Sequence, residues 1–118
     1  MEKIGIGSSA PVDTEDRITV TLQIEDGTVM AASFTAAGCE ALADCGRTLC
    51  AILPGKPADA LWQMTNMAIV YNMEPPLPVS RFYCSQMAAA AAKNALRDYC
   101  QKNGLPYTPA CHCGGTDK

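Results

Sequence analysis

Between residues 18 and 25 the chain reads ITVTLQIE, with Ile18, Val20, Leu22 and Ile24 alternating against Thr19, Thr21 and Gln23. A period of two with β-branched residues predicts a strand that buries one face. Asp26-Gly27 follows, a pair that accepts the left-handed backbone of a tight hairpin. Residues 28–35 (TVMAASFT) then return as the second strand. Residues 3–8 add a third strand at the edge, although Gly5 and Gly7 weaken the strand pattern there.

Beyond the hairpin the period changes. Over 41–53 the apolar positions Leu42, Cys45, Leu49, Ile52 and Leu53 recur at spacings of three and four, which predicts an amphipathic helix ended by Pro54-Gly55. Pro57 suits the first turn of a short helix through Trp62 and Met64, and Asn66 is placed to cap another running to about Met73. The segment EPPLPV at 74–79 is a stiff, extended link. From 80 to 103 there is no proline, alanines fill 88–92, and Gly104 supplies a stop, so a long helix is predicted. Met87, Ala88, Ala91, Ala95 and Tyr99 share one side of it, and their small size predicts close packing on the sheet or on another helix. Strands first and helices after give an α+β domain, an antiparallel meander sheet with helices packed on one face. The domain is expected to span 1–104, with 105–118 as a flexible tail containing Cys111, His112 and Cys113.

Composition narrows the function classes. The 118 residues are 48% apolar and 18% charged, the balance of one soluble globular domain. A net charge of −3 and the lack of a basic stripe argue against nucleic-acid binding. The longest apolar run, Met87 to Ala92, is too short to cross a bilayer, and the opening MEKIGIGSSAPVD has no apolar leader core. The chain is read as cytoplasmic. Gly5 and Gly7 lack the remainder of a phosphate-binding loop, and His112 in the tail has no neighbours that would build a nucleophile and base. A binding protein is expected rather than an enzyme.

Cysteine is the exceptional residue. There are seven: Cys39, Cys45, Cys50, Cys84, Cys100, Cys111 and Cys113. An odd count without a secretion signal favours reduced thiols or metal ligands over a disulfide framework. Cys39 follows Ala36-Ala37-Gly38 at the junction of the second hairpin strand and the first helix, and Cys84 lies in the first turn or so of the last helix. Helix N-termini favour thiolate, the form that binds metal, although Glu40 opposes it at Cys39. Cys45 shares the Leu42–Leu49 face and is expected to pack in the core. Cys50, next to Leu49, is given no role. Cys100 lies 16 residues beyond Cys84, about 24 Å along a straight helix, so the two cannot share a metal.

Two runs carry a family resemblance. FTAAGCEALADCGRTLCAILPGK, residues 34–56, resembles a segment in which a strand ends in Gly-Cys and feeds a helix closed by Gly-Lys. PPLPVSRFYCSQMAAAAAKNALRDY, residues 75–99, resembles a Pro-rich link, a second cysteine and a long alanine-rich helix; ITVTLQIEDG resembles the strand before them. The family is that of the U-type iron–sulfur cluster assembly scaffolds, the IscU proteins and the N-terminal domain of NifU, and the similarity runs from about Ile18 to Lys102. It implies a protein that assembles a [2Fe-2S] cluster on cysteines, takes sulfur from a cysteine desulfurase and passes the cluster to apo-protein acceptors. Residue by residue it implies Cys39 and Cys84 as ligands of iron or of the cluster, with their sulfurs about 4 Å apart if they bind one tetrahedral metal.

The family's first cysteine and aspartate stand in an Ala-Cys-Gly-Asp motif that falls near Glu15-Asp16-Arg17-Ile18 here, and none of it is present. Asp16 offers an oxygen ligand from about the same place. Tyr83 stands where the family has a histidine, and the Leu-Pro-Pro-Val-Lys motif read by a chaperone appears as Leu77-Pro78-Val79-Ser80-Arg81. Two thiolates do not close a tetrahedral site. Asp16, the tail, water or a homodimer presenting Cys39 and Cys84 twice would supply the rest. Cys111-His112-Cys113 is a second candidate ligand group, for zinc or iron. The alternatives to a cluster scaffold are a family member that binds a single zinc or iron ion or relays sulfur, and an interaction module that has lost cluster chemistry.

Overall fold

A computed structural model of the chain describes residues 3–10, 16–38, 40–73 and 76–104. Strands β1 (Ile4–Ser9), β2 (Arg17–Glu25) and β3 (Thr28–Ala37) form an antiparallel sheet in the order β1-β2-β3. Glu25 pairs with Thr28, so Asp26 and Gly27 alone make the turn, with φ of 53° and 75°. Both are left-handed, the conformation that lets a two-residue loop follow the twist of its strands. The register slips between Gln23 and Ile24 and leaves Met30 as the extra residue of a bulge. Each strand of the hairpin runs further than the sequence pattern indicates, closing on the pair Arg17 and Ala37.

Three helices follow: α1 (Glu40–Ile52), α2 (Asn66–Val70) and α3 (Phe82–Lys102), with 3-10 turns at Ala58–Gln63 and Val79–Arg81. The alternation in β2 sends Ile18, Val20, Leu22 and Ile24 inward, where they meet Leu42, Cys45 and Leu49 of α1 and Ala88, Ala91, Ala92 and Ala95 of α3. Among the described residues the helices cover one face of the sheet only, which is the α+β arrangement expected.

Local details differ from the expectation. Thr65, not Asn66, caps α2, its hydroxyl accepting the Met67 N–H; the Asn66 amide instead donates to Ser85 Oγ at 3.1 Å. The helix ends at Val70 rather than near Met73. Pro57 precedes its 3-10 turn instead of sitting inside it. The long helix begins at Phe82, because Pro78 leads into the separate turn at Val79–Arg81.

The glycines of β1 have a reason that only the packing supplies. A Cβ on Gly5 would lie 2.2 Å from the Ala95 carbonyl oxygen, and one on Gly7 would lie 2.1 Å from the Ala95 nitrogen. Two residues of strand advance about 6.6 Å and four residues of helix about 6.0 Å, so the bare positions of β1 keep step with α3. The alternate residues use the same step. Asn94 Nδ2 donates to Ser8 O (2.9 Å), Ile6 N donates to Asp98 Oδ2 (2.9 Å), and Lys102 Nζ donates to Ile4 O (3.3 Å). Side chains of α3 thereby cover the outer edge of the sheet, which would otherwise invite pairing with another strand.

Candidate functional site

The end of the hairpin opposite the Asp26-Gly27 turn is where chemistry-bearing residues gather. Asp16 and Gly38 lie one residue beyond the closing pair of Arg17 and Ala37. Gly38 has φ of +117°, and a Cβ there would fall 2.0 Å from Asp16 Oδ1 and 2.8 Å from Asp16 Cα. Only glycine fits, both for backbone conformation and for space. Gly38 thus lets the chain leave β3 directly beside the half-buried Asp16 carboxylate and enter α1 at Glu40.

The start of α3 reaches the same place. Tyr83 OH donates to Asp16 Oδ2 at 3.1 Å, a contact between residues 67 apart in sequence. Arg81 Nη1 donates to the same hydroxyl at 3.1 Å. The Arg81 hydrogen bond pulls the phenol down, but donation to Asp16, burial and the adjacent Cys84 sulfur outweigh it and push Tyr83 up to about 12. Tyr83 is therefore a proton donor to Asp16 at any physiological pH. Cys84, the next residue, is fully buried in the first turn of α3. The start of β2, Gly38 at the end of β3 and the first turn of α3 therefore meet at Asp16.

Among the sequence-derived candidates, Asp16 and Cys84 are brought to one locality by Tyr83. Cys39 lies outside the described residues, between Gly38 and Glu40, and with it the separation of its sulfur from that of Cys84. Cys111, His112 and Cys113 lie outside them as well. Among the described residues no three His, Cys, Asp or Glu side chains group tightly enough to hold a metal ion.

The other described cysteines are elsewhere and chemically quieter. Cys45 is fully buried, with its thiol 3.9 Å from Met73 Sδ. Burial pushes the Cys50 thiol up to about 11. Cys100 is raised by burial and by the charge of Asp59. The Cys50 and Cys100 thiols stay protonated at neutral pH and make poor ligands or nucleophiles. None of Cys45, Cys50, Cys84 and Cys100 is in a disulfide.

Sequence reasoning named Arg81 only within the chaperone-type motif and Tyr83 only as standing in the position of the family's histidine. An Arg and a Tyr two residues apart at a helix start are a faint signal, and their partner is distant. A family model described as the NifU-like N terminal domain matches residues 2–105. The chain belongs to that family. Two curated relatives, the iron-sulfur cluster assembly scaffold proteins IscU 1 and IscU 2 of Archaeoglobus fulgidus, are each 26% identical to it over 100 residues, covering 85% of this chain. The chain spans 65% of the length of those relatives. A solved structure described as a hypothetical protein aligns with a TM-score of 0.44 at 16% identity, covering 87% of this chain and 76% of its own. No described helix is long and apolar enough to cross a membrane.

Proposed function

We propose that this NifU-like N-terminal domain is a scaffold that holds iron or a [2Fe-2S] cluster as cargo, through the thiolates of Cys39 and Cys84 with Asp16 as an oxygen donor. The observation that carries the reading is the Tyr83–Asp16 hydrogen bond, which ties the first turn of α3 to the start of β2. Gly38 packs against the same carboxylate, and Cys39 follows it in the chain. The donor set suits the cargo: thiolates hold iron–sulfur clusters, and a carboxylate serves an exchangeable iron site. Two sulfurs and one oxygen are one donor short of a closed tetrahedral shell. The open position leaves room for sulfide to be built in and for an acceptor's ligand to draw the cargo away.

A scaffold of this kind takes its sulfur from a cysteine desulfurase, gives its cluster to apo-proteins and works in a reducing, cytoplasmic compartment. It is a carrier rather than an enzyme that turns over substrate. Anaerobic reconstitution with ferrous iron and sulfide tests it. The expected product carries iron and acid-labile sulfide in equal amounts and a visible sulfide-to-iron absorbance. A protein that emerges from desalting with neither has no scaffold activity.

The tail is assigned no part in this site. Deletion of 105–118 is expected to leave iron content and the urea midpoint unchanged. A large loss of iron on deletion would instead bring Cys111, His112 and Cys113 into the ligand set.

A further inference from the structure

The side chains of Arg81, Tyr83 and Asp16 form a directed chain. The guanidinium donates to the phenol oxygen at 3.1 Å, and the phenol donates onward to Asp16 Oδ2 at 3.1 Å. Because Arg81 occupies an acceptor position on the hydroxyl, the phenol proton is turned toward the carboxylate. The other oxygen, Oδ1, lies against Gly38, where even a Cβ would be 2.0 Å away. Asp16 is thus held on both sides, one oxygen engaged by Tyr83 and the other facing the β3–α1 junction. A carboxylate fixed in this way meets a metal in one orientation without losing rotamer entropy on binding.

We propose that Tyr83, oriented by Arg81, is a positioning residue that sets Asp16 as a single-oxygen metal donor. The proposal rests on the scaffold reading given above. Tyr83 acts through Asp16 and need not touch the metal itself. Hydrogen-bond partners of metal ligands carry about tenfold to a hundredfold in affinity, and that is the size of effect expected here.

The test is a double-mutant cycle read with cobalt(II) under anaerobic conditions, on the full chain. Wild type, Tyr83→Phe, Asp16→Ala and the double variant are titrated. Affinity comes from competition with a chelator, and geometry from the ligand-field bands. The expected wild-type complex shows thiolate-to-cobalt charge transfer. Tyr83→Phe is expected to keep that charge transfer at saturation, to bind cobalt about tenfold to a hundredfold more weakly, and to change the ligand-field envelope. In the Asp16→Ala background the same substitution is expected to have no effect on affinity, since the group it acts through is gone.

Equal affinity of Tyr83→Phe and wild type overturns the proposal and leaves the scaffold reading standing. So does an equal loss with and without Asp16, which would mean that Tyr83 acts through the fold or through the neighbouring Cys84 sulfur instead. A wild-type protein with no thiolate-to-cobalt charge transfer overturns both. Should Tyr83→Phe unfold early by circular dichroism, Arg81→Met removes the orienting donor from an exposed position. It is expected to show the same dependence on Asp16 with a smaller loss, and its absence counts against the proposal equally.

Discussion

Alanine at Gly7 is expected to remove a large part of the stability of this protein, and alanine at both Gly5 and Gly7 to prevent folding. A Cβ on Gly7 would lie 2.1 Å from Ala95 N, 2.5 Å from Asn94 C and 2.6 Å from Ala91 O. These are main-chain atoms of a helix, so no rotamer change relieves the overlap. The helix would have to retreat by about 1.5 Å to restore ordinary contact. That retreat would loosen the alanine face against Val20 and Leu22 and stretch the bonds from Asn94, Asp98 and Lys102 to the outer edge of β1. Overpacking costs about 1–3 kcal/mol where neighbours can yield; here we expect at least the upper figure per site, against a total of about 5–15 kcal/mol for a typical domain. Gly104→Ala is the control. Its φ is +66° and nothing among the described residues lies within 4 Å of the added carbon, so the backbone preference is what is lost, about 1 kcal/mol. Urea midpoints at constant slope give the comparison. A Gly7→Ala protein as stable as Gly104→Ala would mean that β1 and α3 do not approach so closely.

That pair of glycines marks where the sequence stops being readable by eye. The β2–β3 hairpin is legible because its signals are local: alternation in ITVTLQIE and the left-handed pair Asp26-Gly27. The α3 helix is legible for the same reason, from a run of alanines and a terminal glycine. Gly5 and Gly7 look like defects in a strand until Ala91 and Ala95, more than eighty residues away, are placed beside them. The short helical turns were predicted in place but capped wrongly, because Thr65 and Asn66 are both good caps and the choice turned on Ser85, which engages Asn66 from another helix.

The site divides along the same line. Helix-start chemistry picks out Cys84, a local reading, and the family resemblance picks out Asp16 from where the Ala-Cys-Gly-Asp motif would fall. The Tyr83–Asp16 bond spans 67 residues and has no local signature. A tyrosine in place of a ligand reads from the sequence as a loss, whereas its distant partner makes it a donor to the carboxylate.

Serine at Cys39 or at Cys84 is expected to abolish retention of iron after anaerobic reconstitution, while serine at Cys45 or Cys100 keeps the iron and lowers stability. The thiols differ in their surroundings. Cys84 lies beside Tyr83, which bonds to Asp16, and it sits in the first turn of α3. Cys39 stands in the chain between Gly38, which packs against Asp16, and Glu40, which opens α1. Losing one of two thiolates leaves a set that cannot hold a cluster against desalting. Cys45, by contrast, is sealed in the core against Met73, and Cys100 is raised by burial. Serine there buries a hydroxyl where a weakly polar thiol had been, a cost of about 1–3 kcal/mol that shows in the urea midpoint. Because Cys84 is also fully buried, its serine variant carries a similar stability cost. The deciding comparison is therefore iron per folded protein, with the Cys45 variant as the matched control. Equal iron loss in the Cys45→Ser and Cys84→Ser proteins would trace the effect to weakened folding. Full iron in the Cys39→Ser protein would remove the β3–α1 junction from the site and leave Cys84 and Asp16 without the second thiolate the scaffold reading requires.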